Sequence, residues 1–253
     1  CRLRLFLLLI LSVSSVICQV NIEGLRNPEL NRTNFSVEID SDIATQSNKD
    51  NWEITSELRF DKLFDNQSSI LLVVEGEYSE QTVDSIKDVQ ENKGFVHTRY
   101  VIPLQSYELE TFGQIELDNF RSILNRNLLG MGLRFTAKST KVYNLNYGIG
   151  MMYEHEKYDG SSILKSDSAK STNYITLNKQ LSSNWFVSTT SYLQFDISDP
   201  EVYRILNITE FALNATDEID IAFNFDSKFD AKPVLDNLSK SFFDFAIGIR
   251  YHF

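Results

Sequence analysis

Apolar and polar residues alternate with a period of two along most of this chain, and no other feature constrains its fold as much. Because successive side chains of a β-strand point to opposite faces, this alternation is typical of strands with one apolar face. The last segment shows it best, since Asp244, Gly248 and Arg250 oppose an apolar face of Phe243, Phe245, Ile247, Ile249, Tyr251 and Phe253. Long helical periodicity is missing, so the sequence predicts an all-β fold.

Twelve segments follow this pattern, and the connections between them fall into two classes. Connections after even-numbered segments are short, whereas three after odd-numbered segments are long and polar, namely Glu80–Lys93, Tyr158–Lys170 and Asp230–Lys240. Short turns at one end and longer loops at the other are the layout of outer-membrane barrels. The sequence therefore predicts a single twelve-stranded antiparallel transmembrane β-barrel over residues 33–253. Its strands are expected at 33–46, 51–62, 67–79, 94–103, 107–118, 126–137, 142–157, 171–181, 185–198, 202–215, 219–229 and 241–253.

A soluble β-sandwich is the main alternative, because it also alternates but hides its apolar face between two sheets. Three strands carry aromatic residues ten positions apart on one face. Ten residues of a tilted strand climb about 25 Å, which is the height of the apolar band of a membrane barrel. This spacing favours the barrel, and the pairs are Tyr143 with Tyr153, Trp185 with Phe195, and Phe243 with Phe253.

Residues 1–18 have the build of a secretory signal peptide. Arg2 and Arg4 precede an apolar stretch that is shorter than the ~20 residues a membrane-spanning helix needs. Cleavage is expected after Cys18, although acylation of this cysteine, as in a lipoprotein, is an alternative. Residues 19–32 would then form a periplasmic lead-in, and the mature chain would contain no cysteine.

The composition excludes several classes of protein. A chain of 253 residues that is 42% hydrophobic is too apolar to be disordered, and a net charge of −11 argues against a nucleic-acid binder. Export and the barrel pattern place the protein in the outer membrane of a Gram-negative bacterium. The expected partners are outer-membrane lipid, lipopolysaccharide and the barrel-assembly machinery, with small solutes or cations as candidate cargo.

Four stretches of the chain carry a family resemblance, namely residues 20–26, 95–100, 128–135 and 148–156. They resemble the YdiY-like family of salt-induced outer-membrane proteins, which is also called domain of unknown function 481. The resemblance covers most of the mature chain in order, and it is weakest in the last third. It implies an outer-membrane barrel and no established activity, cofactor or set of catalytic residues.

The face opposite the apolar one is expected to line the lumen, and it carries charges of both signs with acids in excess. One interpretation is a narrow polar pore with an internal charge constriction, which would favour cations or neutral solutes. The other is a plug of mutually satisfied ion pairs that closes a small barrel. The candidate lumen-lining residues are Arg59, Arg99, Glu110, Arg134, Glu154 and Arg250.

Four glycines lie on the inward faces of two adjacent predicted strands. They leave space for a solute or a bulky neighbour, or they give the backbone room where the wall curves and large residues stand opposite. The second interpretation is favoured for Gly130, Gly132, Gly148 and Gly150.

Three functions follow from this barrel. The first is a narrow passive pore or solute channel, linked to salt or envelope stress through the family resemblance. The second is a closed structural barrel whose extracellular loops bind a partner or lipopolysaccharide. The third is an outer-membrane lipase centred on the outward-facing His155, but no local motif marks a serine nucleophile. We therefore expect no enzymatic activity, catalytic residue, cofactor or metal site.

The C-terminal end carries a candidate assembly signal. Tyr251 and Phe253 share one face, and Phe253 is the last residue of the sequence. Because the edge of a terminal strand offers unpaired backbone to a partner, deletion of Phe253 is expected to lower the amount of assembled barrel at the cell surface. Normal levels of heat-modifiable protein from the deletion variant would contradict this role.

Overall fold

The computed structural model describes residues 33–46, 49–84, 86–119, 121–160, 163–216, 219–234 and 239–251. Every regular element in these residues is a strand, which confirms the all-β prediction. None of them forms a helix long and apolar enough to cross a membrane. The expected signal peptide and lead-in, residues 1–32, lie outside the described residues. The strands are β1 (Thr33–Gln46), β2 (Lys49–Leu63), β3 (Ser69–Val83), β4 (Ile86–Pro103), β5 (Glu108–Asp118), β6 (Ile123–Ser139), β7 (Tyr143–Tyr158), β8 (Leu164–Gln180), β9 (Trp185–Asp196), β10 (Tyr203–Asn214), β11 (Ile219–Asp230) and β12 (Ser241–Tyr251).

The strands form one sheet in which each strand pairs antiparallel with the next one along the chain. The order runs from β1 to β12 without a crossover. Every connection is therefore a hairpin, as in an up-and-down arrangement. The pairings of the described residues run from β1 to β12 without joining these two strands to each other.

The two faces of the sheet differ in burial as the alternation predicts. On β7, Ile149, Met151 and Tyr153 are more than half exposed, whereas Met152 and Glu154 between and beside them are almost fully buried. One face of the sheet exposes large apolar side chains, and the other buries charged ones. In a soluble sandwich the apolar face is the buried one, so the two faces of this sheet have the opposite arrangement.

Side-chain contacts between strands that are not neighbours show that the sheet curls around its charged face. The hydroxyl of Tyr174 on β8 donates to Glu110 on β5 over 2.9 Å, although two strands lie between them. Arg204 on β10 donates to Glu154 on β7 over 3.1 Å. Lys228 on β11 also lies close enough to the acids of β5 to interact with Glu116. These contacts define the concave side as the interior of the sheet.

Two of the predicted long loops are wrong. Residues 80–93 continue β3 and β4 as a hairpin whose turn contains Asp84 with a φ of 50°. β8 begins at Leu164, so only residues 159–163 connect it to β7. These extensions are polar, but cross-strand pairs such as Lys87 with Glu80, 2.9 Å apart, stabilise an extended hairpin that needs no apolar face. The third predicted loop is present, since residues 231–240 connect β11 to β12.

Candidate functional site

Six charged side chains meet on the concave face, and they form what we call the central charge cluster. Three are acids and three are bases, and they come from five strands. Each is at an inward position of its strand, and the curl of the sheet brings Arg204 of β10 to Glu154 of β7 across the two strands between them. The cluster consists of Glu116 (β5), Arg126 (β6), Glu154 and Glu156 (β7), Lys170 (β8) and Arg204 (β10).

Glu154 is the residue that joins the cluster. Its Oε2 accepts from Arg126 Nε at 3.0 Å, and its Oε1 accepts from Arg204 Nη1 at 3.1 Å and also from Lys170. Glu156 is the next inward residue of β7 after Glu154, and it contacts the guanidinium groups of Arg126 and Arg204 at 3.3 Å each. Both arginines are therefore shared among acids, and Lys170 joins through Glu154, so the cluster is a network and not a set of separate pairs.

The cluster is sealed from water. Arg126 and Glu154 have no exposed side-chain surface, and the other members are at most 8% exposed. Burying a charge in this way is costly unless opposite charges and hydrogen bonds compensate for the lost hydration. Three acids facing three bases meet that condition, so the interior is electrically balanced at this level.

The ion network continues toward the β5–β6 connection and the end of β11. Arg121 donates from Nε to Asp118 at 2.6 Å and also contacts Glu116. Arg204 donates from Nε to Asp230 at 2.9 Å. Val234 of the β11–β12 connection packs on Ile123 at the start of β6 and on Tyr158 at the end of β7. It therefore covers part of the interior at the end where β6 begins.

Apolar side chains occupy part of the described interior, among buried polar groups such as His97, Asn146 and Gln194. Three small clusters lie on the concave face: Leu71, Val73 and Phe95; Phe112, Leu128 and Met152; and Tyr174, Tyr192 and Leu206. Packed side chains of this kind resemble the core of a small barrel more than the wall of a wide channel.

Aromatic rings cover two of the four inward glycines. A Cβ placed on Gly148 would lie 2.1 Å from the ring of Tyr174, and one on Gly130 would lie 2.3 Å from the ring of Phe112. Gly132 and Gly150 face each other in register, and a Cβ on either would lie within 3.0 Å of backbone oxygen. Gly130 and Gly148 thus give room to bulky neighbours, whereas Gly132 and Gly150 give the backbone the room that the favoured interpretation expected.

Four of the predicted lumen-lining residues have described side chains in the buried interior. Glu154 is in the central charge cluster, and Glu110 accepts a hydrogen bond from Tyr174. Arg134 donates to Glu108 at 3.2 Å, and Arg99 is 5% exposed. Arg59 lies farther out, with a 19% exposed side chain that binds Asp61 at 2.6 Å.

The remaining predicted residues lie near the end of the chain. Arg250 pairs in register with Asp220, and Tyr251 pairs with Ile219. Nothing is described of the side chains of Arg250 and Tyr251, and Phe253 lies outside the described residues.

Three bases of the cluster were missed by reasoning from sequence. Lys170 fell in a predicted loop, because polar residues before it concealed the start of β8. Arg204 begins a stretch that is apolar on both faces, so its direction could not be assigned. Arg126 could have been assigned from the sequence. It lies an even number of positions from the predicted inward residue Arg134 on the same strand, so the two side chains face the same side.

His155 lies on the outer face, as expected, and it has a carboxylate partner. Its Nδ1 is 2.6 Å from Asp167, which also accepts from the hydroxyl of Tyr153 at 2.8 Å. On the other side of His155, the register places Asn127, so no hydroxyl nucleophile stands opposite the imidazole. Among the described residues, no three His, Cys, Asp or Glu side chains are grouped in a way that could hold a metal ion.

Comparison with known proteins gives one family and several similar structures. A family model described as "Protein of unknown function, DUF481" matches residues 31–253. No curated protein matches the sequence.

The similar structures include two porins and the β-domain of an autotransporter, all of low sequence identity. The NanC porin is 16% identical with a TM-score of 0.48, and the match covers 79% of this chain and 94% of that one. The KdgM porin, solved in complex with disordered oligogalacturonate, is 12% identical with a TM-score of 0.38 and coverage of 81% and 97%. The β-domain of the Bordetella autotransporter Brka is 11% identical with a TM-score of 0.39 and coverage of 88% and 100%. At these values the likeness says nothing about what this chain binds or transports.

Proposed function

The chain belongs to the DUF481 family of proteins of unknown function, and we propose that it is an outer-membrane β-barrel with a narrow polar passage constricted at the central charge cluster. In this proposal the twelve strands close by pairing β1 with β12, and the apolar face meets lipid. Small solutes or cations pass only where side chains of the cluster move apart. The observation that carries the proposal is the burial of a balanced ion network on the concave face of a sheet whose convex face is apolar.

The distribution of polarity supports a membrane location. Leu129, Met131 and Phe243 on the convex face are each more than half exposed, and such a surface would be unfavourable in water. Lipid would accept it, and the concave charges would then be shielded from the hydrocarbon.

Buried polar atoms that lack a protein partner support a hydrated interior beside the cluster. Asn144 Oδ1, Asn146 Nδ2 and Gln194 Oε1 are buried and make no hydrogen bond with the described protein. Buried groups of this kind are ordinarily satisfied by water. Water near the short-turn end of β7 would leave the cluster as the narrowest level of the passage.

Single-channel conductance in a planar bilayer tests the pore. We expect the refolded mature protein to give small, discrete, cation-selective steps. Glu110→Gln should reduce the cation selectivity, because it removes an interior charge while its amide oxygen still accepts from Tyr174. The matched control is Glu201→Gln, which also removes one carboxylate but at a site whose side chain is 83% exposed. A folded, heat-modifiable protein that stays silent at all salt concentrations and voltages would contradict the pore.

A closed structural barrel is the second candidate, and the filling of the interior favours it. The apolar clusters and the sealed ion network leave no described residue of the cluster open to water. A silent but folded protein would support this function, in which the loops bind a partner or lipopolysaccharide. We do not extend the proposal to ester hydrolysis, because the His155 and Asp167 pair faces Asn127 instead of a hydroxyl group.

A further inference from the structure

The convex face of β6, β7 and β8 changes from apolar to polar toward the connection between β7 and β8. In register, Asn127, His155 and Asp167 form one row across the three strands. The next row toward the connection contains Lys157 opposite Lys165. Every side chain in these rows faces away from the interior, at the level where a lipid headgroup would meet the barrel.

An apolar groove of about 340 Å³ lies directly below these rows on the same face. It exists because Gly113 has no side chain and Thr98 beside it is short, whereas the surrounding positions carry large apolar groups. The polar end of the groove is marked by Asn127 and His155. Its apolar walls are formed by Val96, Ile115, Leu129 and Tyr153.

The two lysines of the polar end face each other across paired strands. Lys157 lies directly opposite Lys165, and within the described part of the chain neither ammonium forms a close ion pair with a carboxylate, although Lys165 interacts electrostatically with Asp167. Like charges in this position destabilise a sheet unless an anion lies between them. Asp167 is the nearest acid in the register, and its carboxylate is already bound by His155 and Tyr153.

The carboxylate of Asp167 also orients His155. Because Nδ1 of the imidazole lies against Asp167, Nε2 is on the opposite side of the ring from this carboxylate. When it is protonated, an imidazole held in this way donates from Nε2 to a phosphate oxygen.

We propose that this face binds a phosphate-bearing lipid of the outer leaflet, with one acyl chain in the groove and the phosphate at His155, Lys157 and Lys165. The chemistry fits the phosphorylated, multiply acylated anchor of lipopolysaccharide. Its acyl chains would lie at the level of the groove, and its phosphates would lie at the level of the lysines. The site lies on the wall of the barrel and not on its loops. It rests on the membrane location and orientation of the proposed function, but it does not depend on an open passage.

The test measures retention of lipopolysaccharide by the refolded protein in a neutral detergent, read as bound lipid in native mass spectrometry. The double variant Lys157→Gln with Lys165→Gln should weaken binding about 10- to 30-fold, since each lysine near an anionic lipid contributes about fivefold. Gly113→Leu should weaken it about tenfold by filling the groove, and its Cβ meets only ordinary contacts of 3.7 Å or more.

The matched control changes the same number of lysines on the same face, on β6 and β8 at the end away from the β7–β8 connection. Lys138→Gln with Lys179→Gln removes two exposed charges on either side of Tyr143, and binding should change less than twofold. Equal weakening by this control would overturn the proposal, because binding would then follow net charge alone. Unchanged binding by Gly113→Leu in a folded protein would overturn the acyl-chain site. Inorganic phosphate should compete weakly, and full displacement by it at millimolar concentration would show that a free anion, and not a lipid, is the ligand.

Discussion

Replacing Glu154 with glutamine is expected to lower the free energy of unfolding by about 3–5 kcal/mol, the range for breaking a buried ion network by removing one partner. Arg126, Lys170 and Arg204 all contact this carboxylate, and each would keep its charge in an interior without water. The amide oxygen of glutamine accepts hydrogen bonds but carries no charge, so it cannot compensate three cations. Urea unfolding of the refolded protein in lipid vesicles, followed by the fluorescence of Trp52 and Trp185, measures the change.

The control for this variant removes a carboxylate from an exposed pair. Glu201 lies 2.9 Å from Lys232, and both side chains are about half exposed or more. Exposed pairs contribute little, so Glu201→Gln should change the unfolding free energy by less than about 1 kcal/mol. Equal effects of the two variants would mean that the central charge cluster is hydrated and does not hold the strands together.

A second large effect is expected for Gly148→Ala, which should destabilise the protein by about 1–3 kcal/mol, as overpacking of a filled core does. The added Cβ would lie 2.1 Å from the ring of Tyr174, so the ring has to move. Its hydroxyl would then lose the 2.9 Å hydrogen bond to Glu110, and its packing on Tyr192 would change. The same urea unfolding experiment reports the loss.

The chain provides a matched control for the glycine as well. Gly248 also lies on a strand, but a Cβ there has no atom within 4 Å, so Gly248→Ala should change stability by less than about 0.5 kcal/mol. Tyr174→Leu in the Gly148→Ala background should recover part of the loss, giving a coupling energy between the two sites. Additive effects of the two substitutions would contradict the account in which the ring lies over the glycine.

Most of the strand positions could be predicted from sequence, because alternation is a local property that each segment carries by itself. β12 and β7 are clear examples, since one face of each is apolar over residues 243–251 and 143–153 respectively. The hairpin of β3 and β4 was missed in residues 80–93, because both of its faces are polar and no alternation marks it. Local pattern predicts a strand only where the two faces meet different surroundings.

The candidate site was predictable only in part, for a different reason. The alternation of side chains along each strand identified Glu110, Arg134 and Glu154 as inward residues, and these side chains are buried. It could not show that Arg204 reaches Glu154 across two intervening strands, since that contact depends on how strongly the sheet curls. Curvature is set by packing over the whole sheet, including the rings above Gly130 and Gly148, and no single segment encodes it.

In the proposed barrel the apolar face of the sheet meets lipid while the opposite face turns inward, and two adjacent residues of β12 test this arrangement directly. Ile247 is exposed on the apolar face, and Gly248 follows it on the other face with open space for a label. The sequence has cysteines only at Cys1 and Cys18, so the mature chain expected after cleavage accepts one cysteine at either position. A small fluorophore is attached to Ile247→Cys or to Gly248→Cys, and its quenching by brominated lipids is measured in vesicles. We predict strong quenching at position 247 and weak quenching at position 248. Equal quenching at the two positions, or stronger quenching at 248, would contradict the account.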